Sequence, residues 1–230
     1  MSVRLPDGSF LITATGVDKA TIEPHQVLRC YEDGTVCDNH PASGCATGDP
    51  LRDGLFRPSS EVQMHICMYD VRPDVMAVVH AHPPVATGFA AAHRALPANV
   101  LPEVPVVLGP IALVPYGRPG TSALPDVIRA FAADHEVFLL ANHGVTTVGR
   151  SLADAMMRME STEQAARILL SAELLGGAKP LPRDESNALA ALWRSPKAEA
   201  RGGAHAVTEA WHATRGSTEH TEPQPTGVLS

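Results

Sequence analysis

Residues 75–84 read VMAVVHAHPP. The apolar run Val75–Val79 has the length and β-branching of a buried strand rather than a helix. Pro83 and Pro84 then stop it, because neither can donate to a β-ladder. His80 and His82 stand just before that stop. Side chains two apart on a strand share a face, which predicts two parallel imidazoles close enough to share one ion. With 11 histidines among 230 residues, such a pair also arises by chance, so it needs a third partner before it counts as a site.

Working outward, further short apolar runs bounded by turn residues read as strands: Phe10–Thr13, Ile111–Val114, Val137–Leu140 and Val145–Val148. Helical patterns lie between them, at Glu61–Asp70 after Ser59-Ser60, Val85–His93 after Pro83-Pro84, and Ala123–Asp134 after Thr121-Ser122. A long helix is expected from Leu152 to about Leu175, with Leu152, Met156, Met159, Ala166 and Leu170 on one buried stripe. Interleaved strands and helices make an α/β domain of mixed topology that ends near Pro180. Glu32–Asp53 is rich in Gly, Asp and Pro and reads as a loop. Residues 181–230 read as a short helix, Glu185–Trp193, followed from Lys197 by a polar, mobile tail with one helical turn around Val207–His212.

The composition bounds the function classes. Apolar residues make up 44% and charged residues 19%, as in a globular protein. The net charge of −7, with no Lys/Arg cluster, argues against a general grip on nucleic acid or anionic lipid. No stretch approaches the ~20 apolar residues of a membrane span, and MSVRLPDGSF is not a leader. Cys30, Cys37, Cys45 and Cys67 form no Cys-x-x-Cys pair, so reduced thiols in a cytoplasm are expected, with a Cys37/Cys45 pair as the alternative.

The third histidine is His143 in LLANHGV, which follows the apolar run Val137–Leu140 and precedes Gly144, where the backbone can turn sharply. Three imidazoles that leave one position open are the pattern of a catalytic zinc. The competing reading is that His143 only caps a turn. In PSSEVQMH, Ser60 with Gln63 fits a capping box. Such a helix start, with the Ser59 and Ser60 hydroxyls, also suits a phosphate. Glu61 would then be a carboxylate beside an anion site, usable as a general base if the metal is near. Thr15-Gly16, ending the first strand, can add phosphate donors.

Taken together, ITATG (12–16), RPSSEVQMH (57–65), AVVHAHPP (77–84), VPYGRPGT (114–121) and LLANHGV (139–145) resemble the class II (zinc-dependent) aldolase and adducin-head family over about residues 2–178. The archetype of that family acts on L-fuculose 1-phosphate. The resemblance implies a three-layer α/β/α fold around a mixed, largely antiparallel sheet. It implies one Zn2+ per chain on His80, His82 and His143, with Glu61 as catalytic acid/base. It implies a substrate phosphate held by Thr15, Gly16, Ser59 and Ser60. The activity implied is aldol cleavage of a ketose 1-phosphate to dihydroxyacetone phosphate and a short aldehyde through a metal-stabilised enediolate. A cytoplasmic homotetramer with sites between subunits is implied as well.

The chain departs from the family pattern in two places. Members begin with a helix and a Gly-Asn segment that also binds phosphate, whereas this sequence opens at Met1-Ser2-Val3-Arg4, so a start further upstream is expected. The segment ANVLPEVPVVLGP (98–110) lacks the tyrosine that serves the aldehyde side, and Glu103, Tyr116 and Trp211 are only loose substitutes. Epimerase, dehydratase and decarboxylase relatives share the scaffold. Epimerases usually carry Asp in place of Glu61. A non-catalytic adducin-like module is the remaining alternative, and such modules have lost the metal ligands that this chain keeps.

Overall fold

The computed structural model describes residues 1–36 and 56–193. Seven strands form one sheet: β1 (Ser2–Arg4), β2 (Phe10–Thr13), β3 (Val27–Cys30), β4 (Ala77–Ala81), β5 (Ile111–Val114), β6 (Val137–Leu140) and β7 (Gly144–Gly149). They run in the order β3-β2-β1-β4-β7-β6-β5. Every pairing is antiparallel except β5 with β6. Among the described residues five α-helices complete the fold: α1 (Val62–Val71), α2 (Pro84–Ala91), α3 (Ala123–Ala132), α4 (Leu152–Leu174) and α5 (Arg183–Leu192), with a 3-10 turn at Pro24–Gln26 and a π-helical turn at Val104–Leu108. The expected three-layer arrangement around a mixed sheet is the one observed.

Alternation along the strands divides the core in two. Val78, Val114, Phe138, Leu140 and Val148 face α1 and α3. Ala77, Val79, Val137, Leu139 and Val145 face α2, α4 and the π-helical turn. Phe138, Leu139 and Val148 are fully buried. Each such side chain contributes roughly 1.5–3 kcal/mol by leaving water.

The far end of α1 is fixed by charge. Arg72, 1% exposed, donates from Nε to Asp74 Oδ1 (2.8 Å) and from Nη2 to Asp74 Oδ2 (2.7 Å) and Glu136 Oε1 (2.9 Å). Removing one partner of such a buried pair costs about 3–5 kcal/mol. Near the middle of α1, His65 Nδ1 meets Ser2 Oγ at 2.7 Å, and Ser2 Oγ meets the Tyr69 hydroxyl at 2.7 Å, which ties β1 to the helix.

Several expectations change. The central strand begins at Ala77 rather than Val75, because Val75 N–H closes a turn onto Arg72 C=O (3.0 Å). The strand then continues through His80. β1 and β3 are strands that the apolar pattern did not predict. The buried stripe of α4 is Ala155, Met159, Thr162, Ala165, Ala166 and Leu169, whereas Leu152 and Leu170 are 38% and 44% exposed. Small residues face inward because α4 lies close against β4, β7 and α2. The helix expected at Glu185–Trp193 is α5. The closing Trp193 packs so tightly on Gly109, which has φ 66°, that any β-carbon there would overlap the indole. Cys37, Cys45, the tail with Val207–His212 and Trp211, and most of Glu32–Asp53 lie outside the described residues.

Candidate metal and phosphate site

His80 is the fourth residue of β4, and His82 lies just past its end, beyond the last ladder pair Ala81–Val145. His143 sits in the turn between β6 and β7. The antiparallel pairing of β4 with β7 brings that turn to His82. Gly144 permits the approach, because a β-carbon there would overlap His82 Cδ2 and stand 2.8 Å from Ala81 O. One nitrogen from each of the three imidazoles lies within 4.8 Å of the others, and among the described residues this is the one such group of potential metal ligands.

The rings are close but not parallel. His80 and His82 meet edge-on, with centroids 5.0 Å apart and planes at 79°, and His143 is tilted to both at 4.7 and 5.1 Å. The parallel stacking expected from the i, i+2 spacing fails because His82 has left the strand. Rings turned toward a common point suit a shared ion better than a stack would.

The second layer of contacts was not legible in the sequence. His80 Nδ1 lies 3.0 Å from Val145 C=O and 3.1 Å from Thr146 Oγ1. Only a protonated Nδ1 can donate to the carbonyl, which leaves Nε2 as the nitrogen with the lone pair, 3.2 Å from His82 Nε2. Thr146 Oγ1 in turn donates to Met64 Sδ at 3.3 Å. Met64 is the residue one turn into α1 after Glu61, so this chain of contacts links the helix start to the histidines. Burial, then His143 and His82, push the His80 pKa down to about 3. Burial and then His82 lower that of His143. Both rings are therefore neutral near pH 7, the form that binds metal. His143 Nδ1 is itself buried without a hydrogen-bond partner. An all-imidazole donor set with one buried nitrogen left unpaired fits a divalent metal ion.

Glu61 stands at the N-cap of α1 and is 7% exposed. Its Oε2 is buried without a donor. Burial raises its pKa above the ordinary carboxylate value, and the Gly120 backbone N–H offsets part of the rise. A carboxyl group held this way takes up and releases a proton nearer neutrality than an exposed one. It is not one of the three grouped metal ligands.

The capping box expected at Ser60 and Gln63 is absent. Ser59 Oγ accepts the Glu61 N–H instead (3.3 Å), and the helix starts one residue later than expected. The anion elements do meet: Thr15 N–H donates to Arg57 C=O (2.9 Å), Ser59 N–H donates to Thr13 C=O (3.2 Å), and Ala14 bridges Pro58. Thr15, Gly16 and Ser60, at or beside this bridge, are exposed. Gly120 of VPYGRPGT, a residue given no role in the sequence reading, joins them beside Ser60.

Known proteins resemble this chain throughout the site-bearing region. The family model of the class II aldolase and adducin N-terminal domain matches residues 1–170. A 3-oxo-tetronate 4-phosphate decarboxylase of Escherichia coli K12 is 33% identical over 173 residues, 74% of each chain. A 5-deoxy-D-ribulose 1-phosphate aldolase of Bacillus thuringiensis serovar kurstaki is 30% identical over 184 residues, 80% of this chain and 78% of its own. The structure of an L-fuculose 1-phosphate aldolase superposes with a TM-score of 0.69 at 27% identity, covering 82% of each chain. YgbL from Escherichia coli, titled an aldolase/epimerase/decarboxylase, gives 0.68 at 31% identity, covering 82% of this chain and 85% of its own.

Proposed function

The chain belongs to the class II aldolase and adducin N-terminal domain family, and on that premise we propose that it is a zinc-dependent lyase that decarboxylates a small phosphorylated 3-oxo sugar acid. The observation that carries the reading is Glu61: a buried carboxyl group with a raised pKa, joined through Met64 and Thr146 to His80 of the three-histidine cluster. Loss of carbon dioxide from a 3-oxo acid needs the carbonyl electrons drawn away and one proton returned to carbon. It needs no second acid or base at the leaving group. That demand matches a chain whose segment 98–110 has no tyrosine. The decarboxylase relative supports the same choice.

In this reading His80, His82 and His143 hold one Zn2+ per chain, with another divalent ion a workable substitute. When bound, the ion supplies Lewis-acid stabilisation of charge building on the substrate carbonyl oxygen. Thr15, Gly16, Ser59 and Ser60 bind the substrate phosphate and so align the carbonyl. Glu61, protonated, delivers its proton to the carbon freed by C–C cleavage and is reprotonated from solvent. The reading includes a homotetramer with sites between subunits. It also includes a cytoplasmic setting, in keeping with the buried thiol of Cys67.

A second reading is aldol cleavage of a ketose 1-phosphate such as L-fuculose 1-phosphate, favoured by the aldolase relative and the fuculose-type structure. Zn2+-loaded protein incubated with 3-oxo-tetronate 4-phosphate should release carbon dioxide. Triose phosphate released from ketose 1-phosphates, with no carbon dioxide from the oxo acid, would transfer the assignment to the aldolase reading. Light scattering should give four times the 24.3 kDa chain mass, and a monomer at micromolar concentration would refute the tetramer.

A further inference from the structure

α2 is a short helix that runs from one metal ligand to another. Its start follows His82 directly, through Pro83 and Pro84. At its end, Ala90 C=O accepts the N–H of Asn142 at 3.3 Å, and Asn142 is the residue before His143.

A long-range clamp holds each end. Pro83 and Pro84 have no N–H, so the first donors of the helix are Val85 and Ala86. Glu163 on α4, only 12% exposed, takes both. Val85 N–H lies 3.3 and 3.1 Å from its two oxygens, and Ala86 N–H lies 2.9 Å from Oε2. A carboxylate at a helix start is favoured by the aligned peptide dipoles. Arg167 Nε, donating to Glu163 Oε1 at 2.9 Å, keeps the carboxylate in place. At the other end His93 Nε2 donates to Asn142 Oδ1 at 2.6 Å. Both residues hold left-handed backbone, φ 52° and 55°, a conformation uncommon outside glycine although Asn and His adopt it more readily than most.

An ordinary cap comes from the residue next to the helix, whereas Glu163 is 77 positions from Ala86 and His93 is 49 from Asn142. Such distant contacts set where the helix lies rather than whether it forms. We propose that Glu163 and His93 are positioning residues for the metal ligands, holding α2 as a strut that fixes the separation of His82 from His143. This inference rests on the reading that the three histidines bind metal.

The test is a Co2+ titration of the metal-free full chain, read by the visible absorption bands of the bound ion. Glu163→Ala should weaken Co2+ binding about 10–100-fold, the usual effect of losing an outer-shell partner, and should change the band shape. Glu163→Gln, which keeps one acceptor oxygen, should recover part of the affinity. His93→Ala should weaken binding in the same direction. Glu160→Ala, on the same helix but exposed, should bind Co2+ like the parent. If Glu163→Ala does not fold, Glu163→Gln and His93→Ala decide. Parental affinity and bands in those variants, or an equal loss in Glu160→Ala, would overturn the strut. A parent chain that binds no Co2+ would instead overturn the metal reading, and the strut with it.

Discussion

Gly144 and His82 approach so closely that no side chain fits at position 144. A β-carbon would overlap the His82 ring and stand 2.8 Å from Ala81 O. Gly144→Ala must therefore push β7 or His82 aside, an overpacking cost of about 1–3 kcal/mol. Metal analysis of the purified variant should show well under one ion per chain where the parent holds one, with a lower melting temperature. Full metal occupancy would mean that the imidazole does not need this close approach.

Glu61→Gln should keep the metal and lose proton transfer. The expected drop in kcat is 10²–10⁴-fold with KM little changed. In the decarboxylation reading the protonated carboxyl is the active form. Since burial raises its pKa, kcat/KM of the parent should fall as pH rises through that raised value. The Gln variant should lose this limb, and parental turnover in it would remove Glu61 from the mechanism.

The residues proposed to hold the phosphate separate by role. Ser60 and Thr15 are exposed, so Ser60→Ala and Thr15→Ala should raise KM and leave the melting temperature near parental. Ser59→Ala removes the acceptor of the Glu61 N–H, so it should also lower stability by about 0.5–2 kcal/mol. Steady-state kinetics with calorimetry distinguishes the two patterns, and an unchanged KM in all three would move the phosphate elsewhere.

His65 gives the fold an acid limit. It is 1% exposed, and burial first, then the N-terminal charge, hold its pKa well below 6.5. Above about pH 6.5 neither the folded nor the unfolded state protonates this ring, and stability is full. Below it the unfolded chain takes a proton that the folded chain refuses, so stability falls by up to about 1.4 kcal/mol per pH unit. Urea titrations of metal-free protein at pH 7 and pH 5 should show this loss, and His65→Asn should reduce it.

The layers of the fold were readable because Val137–Leu140 and Ile111–Val114 are unbroken apolar runs. The three histidines were readable because two share one strand end and the third follows another. β1 was hidden: Ser-Val-Arg has no apolar pattern, and its strand state comes from pairing with β2 and β4. The α4 stripe was misplaced because buried alanines and Thr162 carry a weak hydrophobic signal, while Leu170 carries a strong one at the surface. Thr146, Glu163 and His93 could not be read at all, since their roles depend on partners 49 to 78 positions away.

The pairing of β4 with β7 also orders events during synthesis. His80 finds Thr146 across 66 residues, so a ribosome must release most of the domain before the central strand gains its second neighbour. Closing so long a loop is entropically costly, and contacts of this range form late. The amino-terminal hairpin of β1 and β2 can form early, but it carries none of the three histidines. If the three histidines hold a metal as proposed, its uptake waits for this late pairing, and a chain lacking β7 leaves His80 without Thr146 and β4 with an open edge.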